Sequence, residues 1–137
     1  MSIQINWISS DEQLLERCQH WNTLDFIALD TEFIRVDTFY PIAGLLQVSD
    51  TEKTYLIDPL LIDNWQPLAE VFGNQRVVKV LHACGEDLEV FALLTGALPE
   101  PLFDTQLAAG YLNIGFSMGY SRLVLELLGI ELPKGET

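Results

Sequence analysis

Basic residues are scarce in this chain. Seven lysines and arginines stand against twenty aspartates and glutamates in 137 residues, giving a formal charge of −13. Passive attachment to nucleic acid needs a basic surface, so the composition argues against it. The objection weakens if several acids hold divalent ions, because each ion brings two positive charges. Otherwise the acids form a solvated surface that favours solubility. Cysteine is nearly missing as well: Cys18 and Cys84 are too few for a disulfide framework and have no metal-ligand spacing. A reducing cytoplasm is the expected home. No apolar run reaches the length of a membrane span, and the N-terminus lacks a signal pattern, so no membrane association is expected. Internal repeats, linkers and low-complexity segments are absent too. The length suits one domain with a real core.

What is present is an acid pair in an apolar run, Phe26-Ile27-Ala28-Leu29-Asp30-Thr31-Glu32-Phe33. The run reads as a buried strand. Residues i and i+2 of a strand share a face, so Asp30 and Glu32 project together, about 7 Å apart at the backbone. Two unpaired anions beside a core are costly, and a divalent cation removes that cost. The pair is therefore either a metal platform or a strand-end pair that reaches solvent or a basic partner.

Around this strand, Ile3 to Ile8 alternates as a first strand, and Ser9-Ser10 precede a helix near Asp11 to Trp21. The central strand spans Asp25 to Phe33, and Tyr40-Pro41 marks a break. Gly44 to Ser49 and Tyr55-Leu56-Ile57 read as a hairpin with a polar loop. A helix follows between Leu60 and Phe72. Val77 to Leu81 is a strand, Glu86 to Leu94 a helix stopped by Gly96, and Leu102-Phe103 a short strand. Asp104 caps a helix through Leu112, and Tyr120 to Leu128 is a last helix closed by Gly129. The pattern is α/β with a mixed sheet of about five strands flanked by helices.

Phosphoryl chemistry assisted by two ions needs three or four acids from different elements. Asp87 stands in the first turn of the helix after the Val77 to Leu81 strand, where open α/β sheets build sites. Acids also favour helix N-termini for the macrodipole alone, which accounts for Glu86 and Glu89 and leaves both readings of Asp87 open. Asp58 before Pro59 is turn chemistry, and Asp104 is a cap. His82 is either a ligand contact or a structural group. Phe33 and Arg35 are placed to meet a base and a phosphate, although Phe33 suits the core equally.

Five stretches taken together resemble the ribonuclease D family of the DEDD 3′-5′ exonucleases: Ala28-Leu29-Asp30-Thr31-Glu32-Phe33, Gly44-Leu45-Leu46-Gln47-Val48, Tyr55-Leu56-Ile57-Asp58-Pro59, His82-Ala83-Cys84-Gly85-Glu86-Asp87-Leu88 and Phe103-Asp104-Thr105-Gln106-Leu107-Ala108. The resemblance implies an RNase H-like fold with the acid-bearing strand at its centre. It implies two divalent ions, Mg²⁺ or Mn²⁺, held by Asp30, Glu32 and Asp87 as catalytic acids. It implies that Thr31, Phe33 and His82 lie near substrate, and that the substrate is the 3′ end of single-stranded RNA, tRNA precursors included; no protein partner is predicted from the sequence. The family's last motif, a Tyr followed four residues later by an Asp, is not found: Tyr111 and Tyr120 have Gly115 and Val124 at that distance. By the resemblance, residues 1–137 are the N-terminal part of the exonuclease domain, without its C-terminal catalytic helix and the helical RNA-binding domains. The isolated piece is expected to be inactive.

Two other readings compete. A phosphoacceptor receiver domain suits the length, acidity and α/β pattern, but its acid pair belongs on the first strand. Here Asp58 precedes Pro59, and Lys79 lies inside a strand. A non-catalytic binding module with an exonuclease fold is the third reading.

Overall fold

The computed structural model describes residues 5–35 and 39–133. Its frame is a six-stranded sheet in the order β1-β4-β3-β2-β5-β6. The strands are β1 (Ile5–Ile8), β2 (Phe26–Ile34), β3 (Ile42–Ser49), β4 (Thr54–Ile57), β5 (Val78–Leu81) and β6 (Leu102–Asp104). Each of the six stretches read as a strand joins the sheet, one more than the estimate of about five, and β6 pairs in parallel with β5, Leu81 opposite Asp104. Residues 3 and 4 of the expected first strand lie outside the described residues.

β2, β3 and β4 form the antiparallel part of the sheet, while β1 pairs with β4, and β5 with β2, in parallel. β2 is thus a nine-residue interior strand with neighbours on both sides. Its register with β3 slips between Glu32 and Phe33, which face Leu45 and Ala43 in turn. Gly44 is the extra residue, and a Cβ there would stand 3.5 Å from the Glu32 carbonyl oxygen. Such a bulge bends a strand and re-aims its side chains. Here it does so beside the acid pair.

The helices are α1 (Asp11–Trp21), α2 (Gln66–Gly73), α3 (Gly85–Thr95), α4 (Thr105–Tyr111) and α5 (Tyr120–Leu128). α1 starts where Ser10 accepts a bond from Gln13 N, and Gln13 Oε1 takes one from Ser9 N in return. α3 and α5 end on Gly96 and Gly129, both at positive φ, a conformation that costs glycine nothing. The core joins Leu14, Cys18 and Trp21 of α1, Leu68, Val71 and Phe72 of α2 and Phe91 of α3 to Ile27, Leu29, Leu46, Val48 and Ile57 of the sheet. Fully burying each such aliphatic or aromatic side chain contributes about 1.5–3 kcal/mol. That burial clamps three helices onto one face of β2.

Lys79 is also wholly buried on β5, its Nζ donating to the carbonyls of Asn74 and Glu100, both at 2.8 Å. Burial lowers its pKa to about 8, against a smaller upward pull from Glu100.

Candidate active site

Alternation along β2 decides which side chains meet the core. Ile27, Leu29 and Thr31 are buried, whereas Asp30 and Glu32 are exposed. The first set faces the helices. The acids share the opposite face with Ala28, as the period of a strand requires. Gln47 stands opposite Asp30 and Ser49 opposite Ala28 on β3, so they belong to the same face. A cleft of about 490 Å³ opens above it, with Asp30, Gln47, Ser49 and Val80 among its lining and His82, Thr105 and Tyr120 contributing as well.

Asp87 arrives from another element. It sits in the first turn of α3, and only 8% of it is exposed. Its Oδ1 accepts a hydrogen bond from the hydroxyl of Thr31, the residue between the two strand acids. Burial pushes the Asp87 carboxyl above its ordinary range. The Thr31 bond pulls it back, and the charges of Asp30 and Glu32 push it up again. Asp30, exposed to the cleft but partly desolvated by its walls, is raised as well, against a smaller downward pull from the Thr31 amide. Asp87 thus feels the charge of both strand acids, a condition that a divalent cation relieves.

By chemistry these donors fit a hard cation: they are carboxylates, and two project together from one strand face. Among the described residues no three His, Cys, Asp or Glu side chains stand close enough together to hold a metal ion as a group. Mg²⁺ does not require such a group, since it keeps several waters and is held by one or two carboxylates. Asp87 is instead tied to Thr31, so a cation that recruits it competes with that hydrogen bond.

The turn between β5 and α3 is built from outside itself. Ala83 has φ 53°, a left-handed conformation unusual for a residue with a Cβ. Its N–H donates to Asp104 Oδ1 and that of Cys84 to Asp104 Oδ2, each at 3.0 Å. The same carboxylate caps α4 through Gln106 N at 2.8 Å and Leu107 N at 3.4 Å. Burial raises the Asp104 carboxyl, but the amides of Cys84, Ala83 and Gln106 outweigh it and hold the group below the usual carboxylate range. His82 lies 2.8 Å from Thr105 Oγ1 through Nδ1 and 2.9 Å from the Met118 carbonyl through Nε2, with its ring edge-on to Tyr120.

The structure therefore puts Asp30 and Glu32 on the cleft face of β2 and Asp87 on Thr31 behind it, within reach of their charge, and places His82 on the cleft wall with both nitrogens engaged. Thr31, expected near substrate, turns its side chain away from the cleft and onto Asp87. Phe33 is half-buried beyond the bulge. Arg35 pairs with Glu89 and donates to the Phe39 carbonyl at 3.1 Å. Gln47, Ser49 and Tyr120 were not anticipated as cleft residues. For the first two the signal was available in the alternation of β3.

The receiver arrangement does not survive. Asp58 accepts from Leu60 N at 3.0 Å to start a single 3-10 turn, Pro59–Leu61, and Lys79 is sealed in the core. The sheet is mixed, with its acid pair on the second strand.

An interior strand carrying two acids, with a third acid on the helix after its parallel neighbour β5, makes a candidate metal site on a mixed α/β sheet. The chain belongs to the 3′-5′ exonuclease family, whose model matches residues 5–137. It is 62% identical over 134 residues to ribonuclease D of Pseudomonas paraeruginosa, covering 98% of this chain and 36% of that protein. It is 43% identical over 130 residues to ribonuclease D of Escherichia coli, covering 95% of this chain and 35% of that protein. The crystal structure of Escherichia coli RNase D, described as an exoribonuclease involved in structured RNA processing, superposes with a TM-score of 0.90 at 42% identity, over 98% of this chain and 35% of that one. The RNase H-like fold agrees with this match. The chain thus spans about a third of the length of these relatives. Among the described residues no helix is long and apolar enough to cross a membrane.

Proposed function

We propose that residues 1–137 form the acid-bearing part of a metal-dependent 3′-5′ exoribonuclease domain. The protein that carries it removes nucleotides one at a time from RNA 3′ ends, tRNA precursors included, and releases nucleoside 5′-monophosphates. The observation that carries this reading is the buried Asp87, hydrogen-bonded to Thr31 and electrostatically linked to Asp30 and Glu32. Structural acids at helix starts point to solvent, where they interact with the helix dipole at little cost. A buried one that also feels the charge of two further acids needs another reason.

In this reading Asp30 and Glu32 hold two divalent ions, Mg²⁺ or Mn²⁺, and Asp87 completes the set. When bound, such ions lower the pKa of an attacking water and neutralise charge on the departing oxygen. The chain's own groups do the rest. The half-open cleft beside Asp30 accepts the terminal nucleotide, and Gln47 and Ser49 offer polar contacts on its floor. His82, fixed at both nitrogens, gives the wall a constant shape. The acidity of the chain fits as well: with so few cations, the phosphates are met by metal ions and by whatever basic surface lies elsewhere in the protein.

The test is trimming of a 5′-labelled single-stranded RNA by the full-length protein with Mn²⁺. Stepwise shortening that Asp30→Ala and Asp87→Ala each reduce by a hundredfold or more is expected. Shortening that survives both substitutions overturns the assignment, and so does internal cleavage in place of stepwise loss.

A further inference from the structure

We infer that the Asp104–Thr105 pair at the end of β6 is a positioning device for Asp87. It sets where α3 begins and so where the third acid stands. The inference rests on the reading of Asp87 as a metal-site acid.

The connection from β5 to α3 is three residues long, His82 to Cys84, and every one of them is held by this pair or by its immediate neighbourhood. Thr105 Oγ1 donates to the Leu81 carbonyl at 3.2 Å and lies 2.8 Å from His82 Nδ1. The two oxygens of Asp104 take the consecutive amides of Ala83 and Cys84. The turn needs that support for two reasons. Ala83 is held at positive φ, where a non-glycine residue is strained. Cys84, the N-cap residue of α3, makes no side-chain capping bond. A helix start without its own cap leaves N–H groups to be satisfied from elsewhere. Here a carboxylate from a neighbouring strand satisfies the turn that leads into the helix. Asp87 follows Cys84 by less than one helical turn, so a shift of the turn moves Asp87 relative to Thr31, Asp30 and Glu32. A displacement of about 1 Å in such groups lowers rates roughly a hundredfold.

Asp104 also caps α4, so removing it entirely would confound positioning with folding. Asp104→Asn separates the two. Asparagine caps helices as well as aspartate does. It has one acceptor oxygen, however, and its NH₂ group faces an N–H where Oδ2 stood. The variant keeps the α4 cap and breaks the two-oxygen grip on Ala83 and Cys84.

The experiment uses the full-length protein. Mn²⁺ affinity is measured by calorimetry, kcat and KM on a single-stranded RNA, and amide hydrogen exchange over residues 82–88 and 105–111. For Asp104→Asn we expect Mn²⁺ affinity about tenfold weaker, kcat ten- to a hundredfold lower at nearly unchanged KM, and faster exchange confined to 82–88. Glu52→Gln, on the exposed turn between β3 and β4, should stay near the parent in all three. Parental metal affinity, kcat and exchange in Asp104→Asn would overturn the inference and leave Asp104 a simple cap. If the parent binds no Mn²⁺ and trims no RNA, the reading of the acids fails instead. Exchange then decides the positioning claim: acceleration confined to 82–88 upholds it, and no acceleration there overturns it.

Discussion

Replacing Thr31 by valine removes one hydroxyl and almost nothing else, because the two side chains have nearly the same shape. That hydroxyl donates to Asp87, and both residues are buried. Without it, a carboxylate oxygen in a low-dielectric setting loses its donor. Leaving a buried polar group unsatisfied costs about 1–3 kcal/mol, more when the group is charged. For 137 residues the unfolding entropy near the midpoint is roughly 0.29 kcal/mol/K, so the melting temperature should fall by about 3–10 °C. The deficit should depend on pH with a definite sign. Asp87 already has a raised folded pKa, so the native state holds its proton longer than the unfolded chain and stability declines as pH rises through that range. The Thr31 bond opposes this, and its loss raises the carboxyl further. The gap between Thr31→Val and the parent should therefore be full at neutral pH and close as pH falls below about 4, where the carboxyl is protonated in both states. Differential scanning calorimetry between pH 3.5 and 7.5 provides the curves. Thr31→Ser, which keeps the donor, serves as the control. A valine variant that melts within 1 °C of the parent at pH 7 would refute the reasoning, as would a deficit that is unchanged at pH 3.5.

The remaining predictions concern other groups. Asp104→Ala should lose about 1.5–5 kcal/mol in urea unfolding, since a cap is worth about 0.5–2 and each of the solvent-screened bonds to Ala83 and Cys84 about 0.5–1.5. With its folded pKa depressed, Asp104 contributes stability that is present above about pH 4 and fades as pH falls through the folded value; the alanine variant should show less acid sensitivity. Lys79 has a folded pKa lowered to about 8, so the unfolded chain binds its proton over a range where the native state does not. Parent stability should carry a rising contribution from pH 8 toward 10, and Lys79→Met should lack it. Burial raises Cys18 to about 12 and Cys84 to about 11, so neither thiol should react with a disulfide reagent at pH 8 until the protein unfolds. Leu46→Ala, in a fully buried interior position, should cost about 2–5 kcal/mol by equilibrium unfolding.

Much of this architecture is legible in the residues. The apolar run around Asp30 announces an interior strand, and two glycines mark helix ends because few other residues accept positive φ there. The placement of Asp30 and Glu32 on one face follows from alternation, and so does the inward aim of Thr31, although a resemblance had pointed it toward substrate. Lys79 defeats a reading by residue type. A lysine inside a strand looks exposed until the carbonyls of Asn74 and Glu100 are found around its ammonium. Asp104 was visible as a cap because Gln106 and Leu107 are near it in sequence. Its grip on Ala83 and Cys84 was invisible, since parallel pairing of β5 with β6 creates it across some twenty residues. Asp87 shows the same limit from the other side. Its chemistry at a helix start has two local explanations, and the choice depends on which strand residue it meets.

The central claim is that Asp30, Glu32 and Asp87 together hold hard cations. A crystal of the full-length protein soaked in Mn²⁺, with data collected at the manganese edge, addresses it without any assay. An anomalous peak in contact with Asp30 and Glu32, with Asp87 turned from Thr31 to join it, is the predicted result. A peak ligated by other residues, or none at millimolar Mn²⁺ while Asp87 stays on Thr31, would contradict the account.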